Sequence, residues 1–124
     1  MNGLETSATN KNDEKALLSV IGLCRGAGRA IIGVDMICEA LKKRGMDTEK
    51  ENVIVIEASD TSDNTHKRIT DRCAYYKARY VRIDSDCNAL GKAVGKGAVG
   101  AVMINDASFC RAIDKKLTNK QTSQ

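Results

Sequence analysis

The segment NVIVIEA, residues 52–58, is the feature that most restricts what this chain can fold into. Its four consecutive β-branched residues, from Val53 to Ile56, are typical of a strand, and a strand without a polar face has to be covered on both sides. Strands of this kind occur in sheets that carry helices on both faces. The chain has 124 residues, which is the size of a single domain with one core.

The rest of the chain alternates between helical and strand patterns around this segment. Apolar residues recur with helical spacing in five stretches, namely 14–26, 34–45, 61–77, 85–97 and 106–117. Three more apolar runs predict strands, the first of them a short edge strand: 30–32, 79–84 and 98–104. This order predicts an α/β protein, a three-layer α/β/α sandwich around a small mixed sheet, as a single domain. Polar composition at both ends of the sequence predicts a domain over 14–117 between tails at 1–13 and 118–124.

The formal charge of +4 at pH 7 is unevenly distributed along the sequence. Residues 1–13 carry a net charge of −1 and residues 115–124 carry +3, so that only +2 remains for residues 14–114. A domain that binds polyanions over its whole surface is usually more basic, which predicts a local basic patch instead. Such a patch lies between residues 25 and 44, where five basic residues stand against two acidic ones: Arg25, Arg29, Lys42, Lys43 and Arg44 against Asp35 and Glu39.

Cysteine spacing and the N-terminal sequence indicate the cellular setting. The five cysteines, at positions 24, 38, 73, 87 and 110, are odd in number and form no C-x-x-C pair. This pattern favours reduced, buried thiols over a disulfide framework or a zinc ribbon. The first residues lack the basic start and apolar run of a signal peptide, and no apolar stretch is long enough to span a bilayer. We therefore expect a cytoplasmic protein without a membrane partner.

The segment RGAGRAIIGVD, residues 25–35, combines three glycines with two arginines directly before a predicted helix. It lacks the phosphate-binding patterns G-x-x-x-x-G-K-[ST] and G-x-G-x-x-G, so that a nucleotide cofactor is not expected. One interpretation is structural, with Gly26 and Gly28 in a tight turn and Gly33 at the helix start. The other is functional, because unpaired N–H groups at the helix start beside Arg25 and Arg29 would suit an RNA phosphate.

No group of side chains in the sequence predicts catalysis or a metal site. His66 is the only histidine, and we expect it on a solvated helix face without a serine, cysteine or carboxylate constellation. The acidic and polar residues at 59–63 are explained more simply by helix capping than by Mg²⁺ binding. Tyr75 and Tyr76 could stack on bases, but core filling is favoured because aromatic residues make up only 3% of the chain. We therefore predict a protein that is not an enzyme and has no cofactor or metal.

Three separated segments carry a resemblance to a known family. They are LLSVIGLCRGAGRAIIGVDMICEALKKRG, NTHKRITDRCAYY and LGKAVGKGAVGAVMI, and together they span nearly all of residues 14–117. In this order they resemble the superfamily of small RNA-binding ribosomal proteins L-seven-Ae, L-thirty-e and S-twelve-e. The middle segment is especially similar to the bacterial branch of YlxQ-type proteins.

The resemblance implies a ribosome-associated protein that binds structured RNA, either ribosomal or another non-coding RNA. Family members that bind the kinked motif called the kink-turn do so with the start of the second helix and with an apolar loop before the last strand. Together with the arginine segment, this implies RNA binding by Arg25, Gly26, Gly28, Arg29, Gly33, Val34, Asp35, Ala98, Val99 and Gly100. We also expect a monomer in isolation, with ribosome-associated proteins as further partners.

One part of the family pattern is absent from this chain. Kink-turn binders typically have G-[TS]-N-E-x-x-K at the second helix, whereas this chain has GVDMICE, residues 33–39. Asp35, Met36 and Glu39 replace the asparagine, the glutamate and the lysine, so that a donor amide is lost and acidic groups face the expected RNA. We therefore expect general RNA binding with little kink-turn preference. The alternative is a protein-interaction module on the same scaffold, because fold does not determine function.

Overall fold

The computed structural model describes residues 11–45 and 52–121. Within these ranges the chain forms five helices: α1 (Lys11–Gly26), α2 (Val34–Arg44), α3 (Asp63–Tyr75), α4 (Cys87–Ala93) and α5 (Ala107–Gln121). It also forms four strands there: β1 (Ala30–Ile32), β2 (Val53–Glu57), β3 (Arg79–Arg82) and β4 (Ala101–Asn105). Every helix and strand predicted from the sequence is present, with bounds that differ by a few residues.

The four strands form one mixed sheet in the order β1-β4-β2-β3. β2 and β3 are parallel and are connected through α3, whereas β4 runs antiparallel to both β1 and β2. The predicted edge position of residues 30–32 is confirmed, because β1 stands at one side of the sheet and pairs with β4. One end of the sheet therefore collects the last residues of β1, β2 and β3 and the first of β4. The opposite end collects the first residues of β1, β2 and β3 and the last of β4.

Alternate side chains along the strands form two apolar layers. In β2, Ile54 and Ile56 face the layer covered by α1, α4 and α5, whereas Val53 and Val55 face the layer covered by α2 and α3. All four side chains are at most 2% exposed, as the unbroken apolar run predicts. A strand buried on both faces requires helices on both sides of the sheet, and the predicted α/β/α arrangement is confirmed.

Polar side chains cap the N-termini of α3 and α4 near the ends of the strands. Ser62 is the N-cap of α3, where its hydroxyl accepts a hydrogen bond from the Thr65 N–H at 3.2 Å. Asp86 caps α4 in the same way and accepts from the Ala89 N–H at 2.8 Å. The capping interpretation is thereby confirmed for Ser62.

Both terminal helices extend past the predicted limits of the domain. α1 begins at Lys11 and α5 continues to Gln121, whereas the sequence predicted limits of 14 and 117. The remaining parts of the predicted tails, residues 1–10 and 122–124, lie outside the described residues. In the part of the chain that the structure describes, no helix combines the length and the apolar character needed to cross a membrane.

Candidate nucleic-acid interface

The residues predicted to bind RNA lie at opposite ends of the sheet, on either side of the short strand β1. At one end the Gly33 N–H donates to the Ala101 carbonyl at 3.0 Å, and at the other the Asn105 N–H donates to the Arg29 carbonyl at 2.9 Å. Because a strand advances ~3.3 Å per residue, Arg29 and Gly33 are roughly 13 Å apart. The expectation that Arg25 and Arg29 lie beside the Gly33 helix start is therefore wrong. The residues between them form an extended strand and not a compact loop.

We call the first of these regions the glycine end, and it comprises Gly33, Val34, Asp35, Ala98, Val99 and Gly100. Its two segments are in contact, as the resemblance implied. A Cβ atom built on Gly100 would lie 3.6 Å from a Val34 methyl group and 3.3 Å from the Thr61 methyl group. The Ala58 N–H donates to the Gly100 carbonyl at 2.9 Å, which ties the loop before β4 to the end of β2.

Side chains in the loop before β4 differ in exposure. Ala98 is exposed, whereas Val99 is 7% exposed and packs into the apolar layer beneath α1. The Val99 side chain therefore presents little surface at this end of the sheet. Behind the loop, a Cβ atom built on Gly91 would lie 1.5 Å from the Gly97 carbonyl oxygen. Only glycine fits at this point of α4, and the close approach holds the loop in place.

The N-terminus of α2 begins at the glycine end without a side-chain cap. Gly33 is the N-cap residue, with φ 100° and ψ 144°, a backbone conformation that other residues rarely adopt. Its carbonyl accepts the first helical hydrogen bond, from the Ile37 N–H at 3.0 Å. Because glycine offers no side-chain acceptor, the N–H groups of the first turn are not capped by the residue before them. These groups and the positive end of the helix dipole suit a phosphate oxygen.

Asp35 is paired with an arginine from the neighbouring helix α3. Arg68 Nη1 lies 2.7 Å from Asp35 Oδ1, and the Asp35 side chain is 85% exposed. The hydrogen bond with Asp35 raises the pKa of the Arg68 guanidinium, which stays charged. The carboxylate expected to repel phosphate is thus balanced locally by a cation, in a pair open to solvent. The sequence did not predict this pair because Arg68 is distant from Asp35 along the chain, and only the packing of α3 against α2 brings them together.

A buried carboxylate lies beneath the glycine end. Glu57, the last residue of β2, has a side chain that is 0% exposed. It accepts hydrogen bonds from Tyr80 Oη at 2.5 Å and from the Thr61 hydroxyl, and Arg82 Nη2 lies 3.8 Å from its Oε2. Burial raises the pKa of this carboxyl, but the hydrogen bonds from Thr61, Tyr80 and His66 outweigh burial and hold the pKa below its usual value. Glu57 is therefore ionised at neutral pH.

His66 belongs to this network, contrary to the expectation of a solvated helix residue. Its Nδ1 lies 2.8 Å from Glu57 Oε1 and 3.3 Å from Tyr80 Oη, and its side chain is 38% exposed. The expectation was wrong because α3 packs against β2 and turns this position toward the buried carboxylate. A glutamate in an otherwise apolar strand is the sequence signal that could have revealed the network. The network fixes the beginning of α3 and Thr61, against which Gly100 rests.

The two tyrosines at the end of α3 differ from each other. Tyr76 packs against the apolar layer beneath α2, but Tyr75 is 63% exposed. Their rings meet edge to face, with centroids 4.8 Å apart and an interplanar angle of 89°. The prediction of core filling is therefore wrong for Tyr75. Its position on the helix turns it away from the stripe that holds Ile69 and Cys73.

The thiol groups agree with the interpretation of the cysteine spacing. All five cysteines are free, and four of them are buried. Burial raises the pKa of Cys24 to about 11 and that of Cys73 to about 12, so that these thiols stay protonated at neutral pH and are poor nucleophiles. Within residues 11–45 and 52–121, no three side chains of the types that bind metals lie together.

The turn between α1 and β1 closes the helix and does not form a cradle of free N–H groups. The N–H groups of Ala27, Gly28 and Arg29 donate to carbonyls of the last turn of α1 at 2.8 to 3.0 Å. Gly28 has φ 74°, the left-handed conformation that such a turn requires. Gly26 and Gly28 therefore shape a tight turn, as the structural interpretation held. The exposed guanidinium groups of Arg25 and Arg29 are the groups of this turn that can reach a phosphate.

The chain is similar to curated RNA-binding proteins over most of its length, although no family model matches it. The RNA-binding protein YlxQ of Bacillus subtilis (strain 168) is 29% identical over 94 residues, which are 76% of this chain and 87% of the relative. The RNA-binding protein YlxQ of Enterococcus faecium is 25% identical over 87 residues, which are 70% of this chain and 78% of the relative.

Solved structures share the fold. A protein of unknown function from Bacillus halodurans C superposes with a TM-score of 0.68 at 25% identity, over 82% of this chain and 95% of that one. The 15.5kD RNA binding protein of Giardia lamblia superposes with a TM-score of 0.68 at 16% identity, over 98% of each chain. The resemblance stated from the three sequence segments is thereby confirmed: this chain is similar to the YlxQ-type RNA-binding proteins in sequence and has the α/β fold of the 15.5kD RNA-binding protein.

Proposed function

We propose that this chain is a non-catalytic, ribosome-associated RNA-binding protein of the cytoplasm that binds structured RNA. The observation that carries the proposal is its similarity to two RNA-binding proteins named YlxQ, over at least 70% of the chain in each case. The arrangement at the glycine end supports it, because a helix N-terminus and a glycine loop meet there at the surface. Such a surface suits the sugar-phosphate backbone of a folded RNA.

At the glycine end, binding depends mainly on backbone groups. N–H groups at the start of α2, after Gly33, face a phosphate, and Ala98 and Gly100 allow the RNA to approach the loop closely. Asp35 remains in its pair with Arg68, so that neither side chain reads a base edge alone. Contacts to the backbone position RNA without distinguishing its sequence. We therefore infer binding of structured RNA with little preference for the kink-turn.

Arg25 and Arg29 contribute separately from the glycine end. Because β1 separates them from Gly33 by roughly 13 Å, they reach other phosphates of the RNA than the α2 N-terminus does. Gly26 and Gly28 serve this contact by giving the turn its shape. The arginines supply long-range attraction, which is strongest at low ionic strength.

A groove between α1 and α4 supports a second candidate function, a protein-interaction module. The groove is open to solvent, has a volume of about 670 Å³ and is lined mainly by apolar groups, and Leu23 at its side is 65% exposed. Lys15 and Lys92 also line the groove. An amphipathic helix with acidic residues beside its apolar face has the complementary chemistry.

Titration with two RNAs at one fixed salt concentration tests the proposal. The first RNA contains a kink-turn, and the second is the same duplex with its G·A pairs replaced. We expect binding to both with affinities within about three-fold, because a lost bidentate base contact removes ~1–3 kcal/mol of discrimination. Ala98→Glu places a negative charge at the glycine end and should weaken binding about ten-fold. Ser19→Glu adds the same charge at the exposed groove between α1 and α4 and should leave the affinity unchanged.

Strong selectivity for the kink-turn would show that Asp35, Met36 and Glu39 do not weaken base readout. No binding to either RNA would overturn the proposed function. Binding of an acidic amphipathic peptide that Ser19→Glu abolishes and Ala98→Glu does not would then support the protein-interaction module.

A further inference from the structure

Charge is separated between the two ends of the sheet. At the glycine end and in the segments beside it, seven carboxylates stand against five basic residues: Glu14, Asp35, Glu57, Asp60, Asp63, Asp84 and Asp86 against Lys15, Lys67, Arg68, Arg82 and Lys96. The opposite end carries the reverse balance within the described residues. We call it the basic end, and it comprises Arg25, Arg29, Lys42, Lys43, Arg44, Arg72, Lys77 and Arg79.

Few carboxylates balance the basic end. Asp106 Oδ2 lies 3.6 Å from Arg29 Nε, and Asp114 forms an ion pair with Arg79. The sequence between α2 and β2, residues 46–51, contains three carboxylates and one lysine. Basic residues remain in excess, nine against five, when all of these are counted. The long-range electrostatic attraction of a polyanion is therefore stronger at this end of the molecule than at the glycine end.

The basic end is assembled from three helix ends. α2 runs from Gly33 at the glycine end to its last turn of Lys42, Lys43 and Arg44, and Arg44 Nη1 donates to the Tyr76 carbonyl at 3.5 Å. This contact places the end of α2 beside the end of α3. The end of α1 follows on the other side of β1. Cations in the last turn of a helix favour its dipole, which accounts for the α2 triplet, Arg25 and Arg72. It does not account for Arg29, Lys77 and Arg79, which lie outside the helices.

An exposed aromatic ring stands among these charges. Tyr75 ends α3, is 63% exposed and touches Tyr76 through an edge-to-face contact, which supports its ring. Neither core packing nor helix capping accounts for a large apolar ring at this position. Basic groups that follow a phosphate backbone, with an aromatic side chain on which a base stacks, are the usual composition of a surface that binds single-stranded RNA.

We propose that the basic end is a second RNA-binding surface, which takes an unpaired RNA segment by stacking one base on Tyr75 while Lys43, Lys77 and neighbouring cations contact its phosphates. The surface rests on the proposed function, since it binds a different part of RNA from the one at the glycine end. Because α2 is ~16 Å long and the two surfaces lie at its opposite ends, a folded RNA at one and an unpaired segment at the other can be bound together.

Titration with a fluorescent single-stranded RNA of six nucleotides tests this surface, with and without a saturating blunt-ended RNA hairpin. We expect the hexanucleotide to bind equally in both titrations. Tyr75→Ala should weaken its binding about ten-fold, whereas Tyr75→Phe should retain it, because stacking needs the ring and not the hydroxyl. Lys43→Ala with Lys77→Ala should lower the slope of log affinity against log salt by about 2. The matched variant Lys67→Ala with Lys115→Ala removes two exposed charges elsewhere and should leave that slope unchanged.

Failure of this inference is distinguishable from failure of the proposed function. If the hairpin binds but the hexanucleotide does not, or if the hairpin displaces it, the second surface is excluded while RNA binding stands. If Tyr75→Ala and Tyr75→Phe bind the hexanucleotide as the natural protein does, stacking on Tyr75 is excluded. If neither RNA binds, the proposed function itself fails.

Discussion

The glycine end and the basic end are built by different means. Loops of the glycine end are held by close packing and by the buried network around Glu57. The basic end presents exposed charges, and a Cβ atom built on Gly28 there would meet nothing within 4 Å. Substitutions at the glycine end should therefore act mainly on stability and loop position. Substitutions at the basic end should act mainly on the electrostatic attraction of RNA, with little effect on the fold.

The largest expected effect contrasts one glycine from each end. Gly91→Ala places a methyl group 1.5 Å from the Gly97 carbonyl oxygen, so that α4 or the loop before β4 has to move. We expect a loss of ~3 kcal/mol in the free energy of unfolding, at the upper range for overpacking. In Gly28→Ala the added methyl group meets open space. This variant should lose only the ~1–2 kcal/mol that a positive φ costs a residue other than glycine. Urea unfolding of both variants measures the difference, and equal losses would show that the two ends are packed alike.

The next effect concerns carboxylates at the two ends. Hydrogen bonds hold the pKa of Glu57 below its usual value, so its ionised form stabilises the fold above pH 4.5 and this contribution is lost as the pH falls through the lowered folded pKa. Glu57→Gln should therefore lower the free energy of unfolding by ~2 kcal/mol at pH 7, as expected for the loss of hydrogen bonds to a buried charge. The loss should be much smaller in strong acid, where the glutamate is protonated. Asp106→Asn, at the partly exposed pair with Arg29, should cost below about 0.5 kcal/mol because asparagine also caps a helix.

Urea unfolding at pH 7 and pH 3 measures these two variants. A loss for Glu57→Gln that is the same at both pH values would show that the carboxylate is not ionised in the folded protein. A loss for Asp106→Asn as large as that for Glu57→Gln would remove the distinction between a buried and an exposed carboxylate.

The smallest expected effect changes the RNA preference of the glycine end alone. Asp35→Asn, Met36→Glu and Glu39→Lys together restore the side chains of kink-turn binders and should raise the preference for a kink-turn by ~1 kcal/mol, about five-fold. Arg25→Ala, at the basic end, should weaken the binding of both RNAs by the same factor, because phosphate contacts carry no sequence information. Titration of both variants with the two RNAs checks this, and a preference that changes only in Arg25→Ala would contradict the assignment of base readout to the glycine end.

Sequence periodicity was sufficient to predict the helices and strands. It did not predict which parts of them lie next to each other in the folded protein. The edge strand at 30–32 and the buried strand after Asn52 follow from local apolar patterns, and both are present where predicted. The residues Arg29 and Gly33 were assigned to one site because only three residues separate them in sequence. An extended backbone through those residues places them at opposite ends of the sheet, since a strand covers more than twice the distance per residue that a helix does.

The sequence by itself determined the layered fold, because a strand of β-branched residues without a polar face can be buried only between helices. It also determined the caps of α3 and the turn glycines, which depend on residues a few positions apart. Only the tertiary structure decided that Glu57 meets His66, that Arg68 pairs with Asp35 and that charge of opposite sign collects at the two ends of the sheet. These features join residues distant in sequence, and their positions depend on the order and direction of the strands, which local periodicity does not encode.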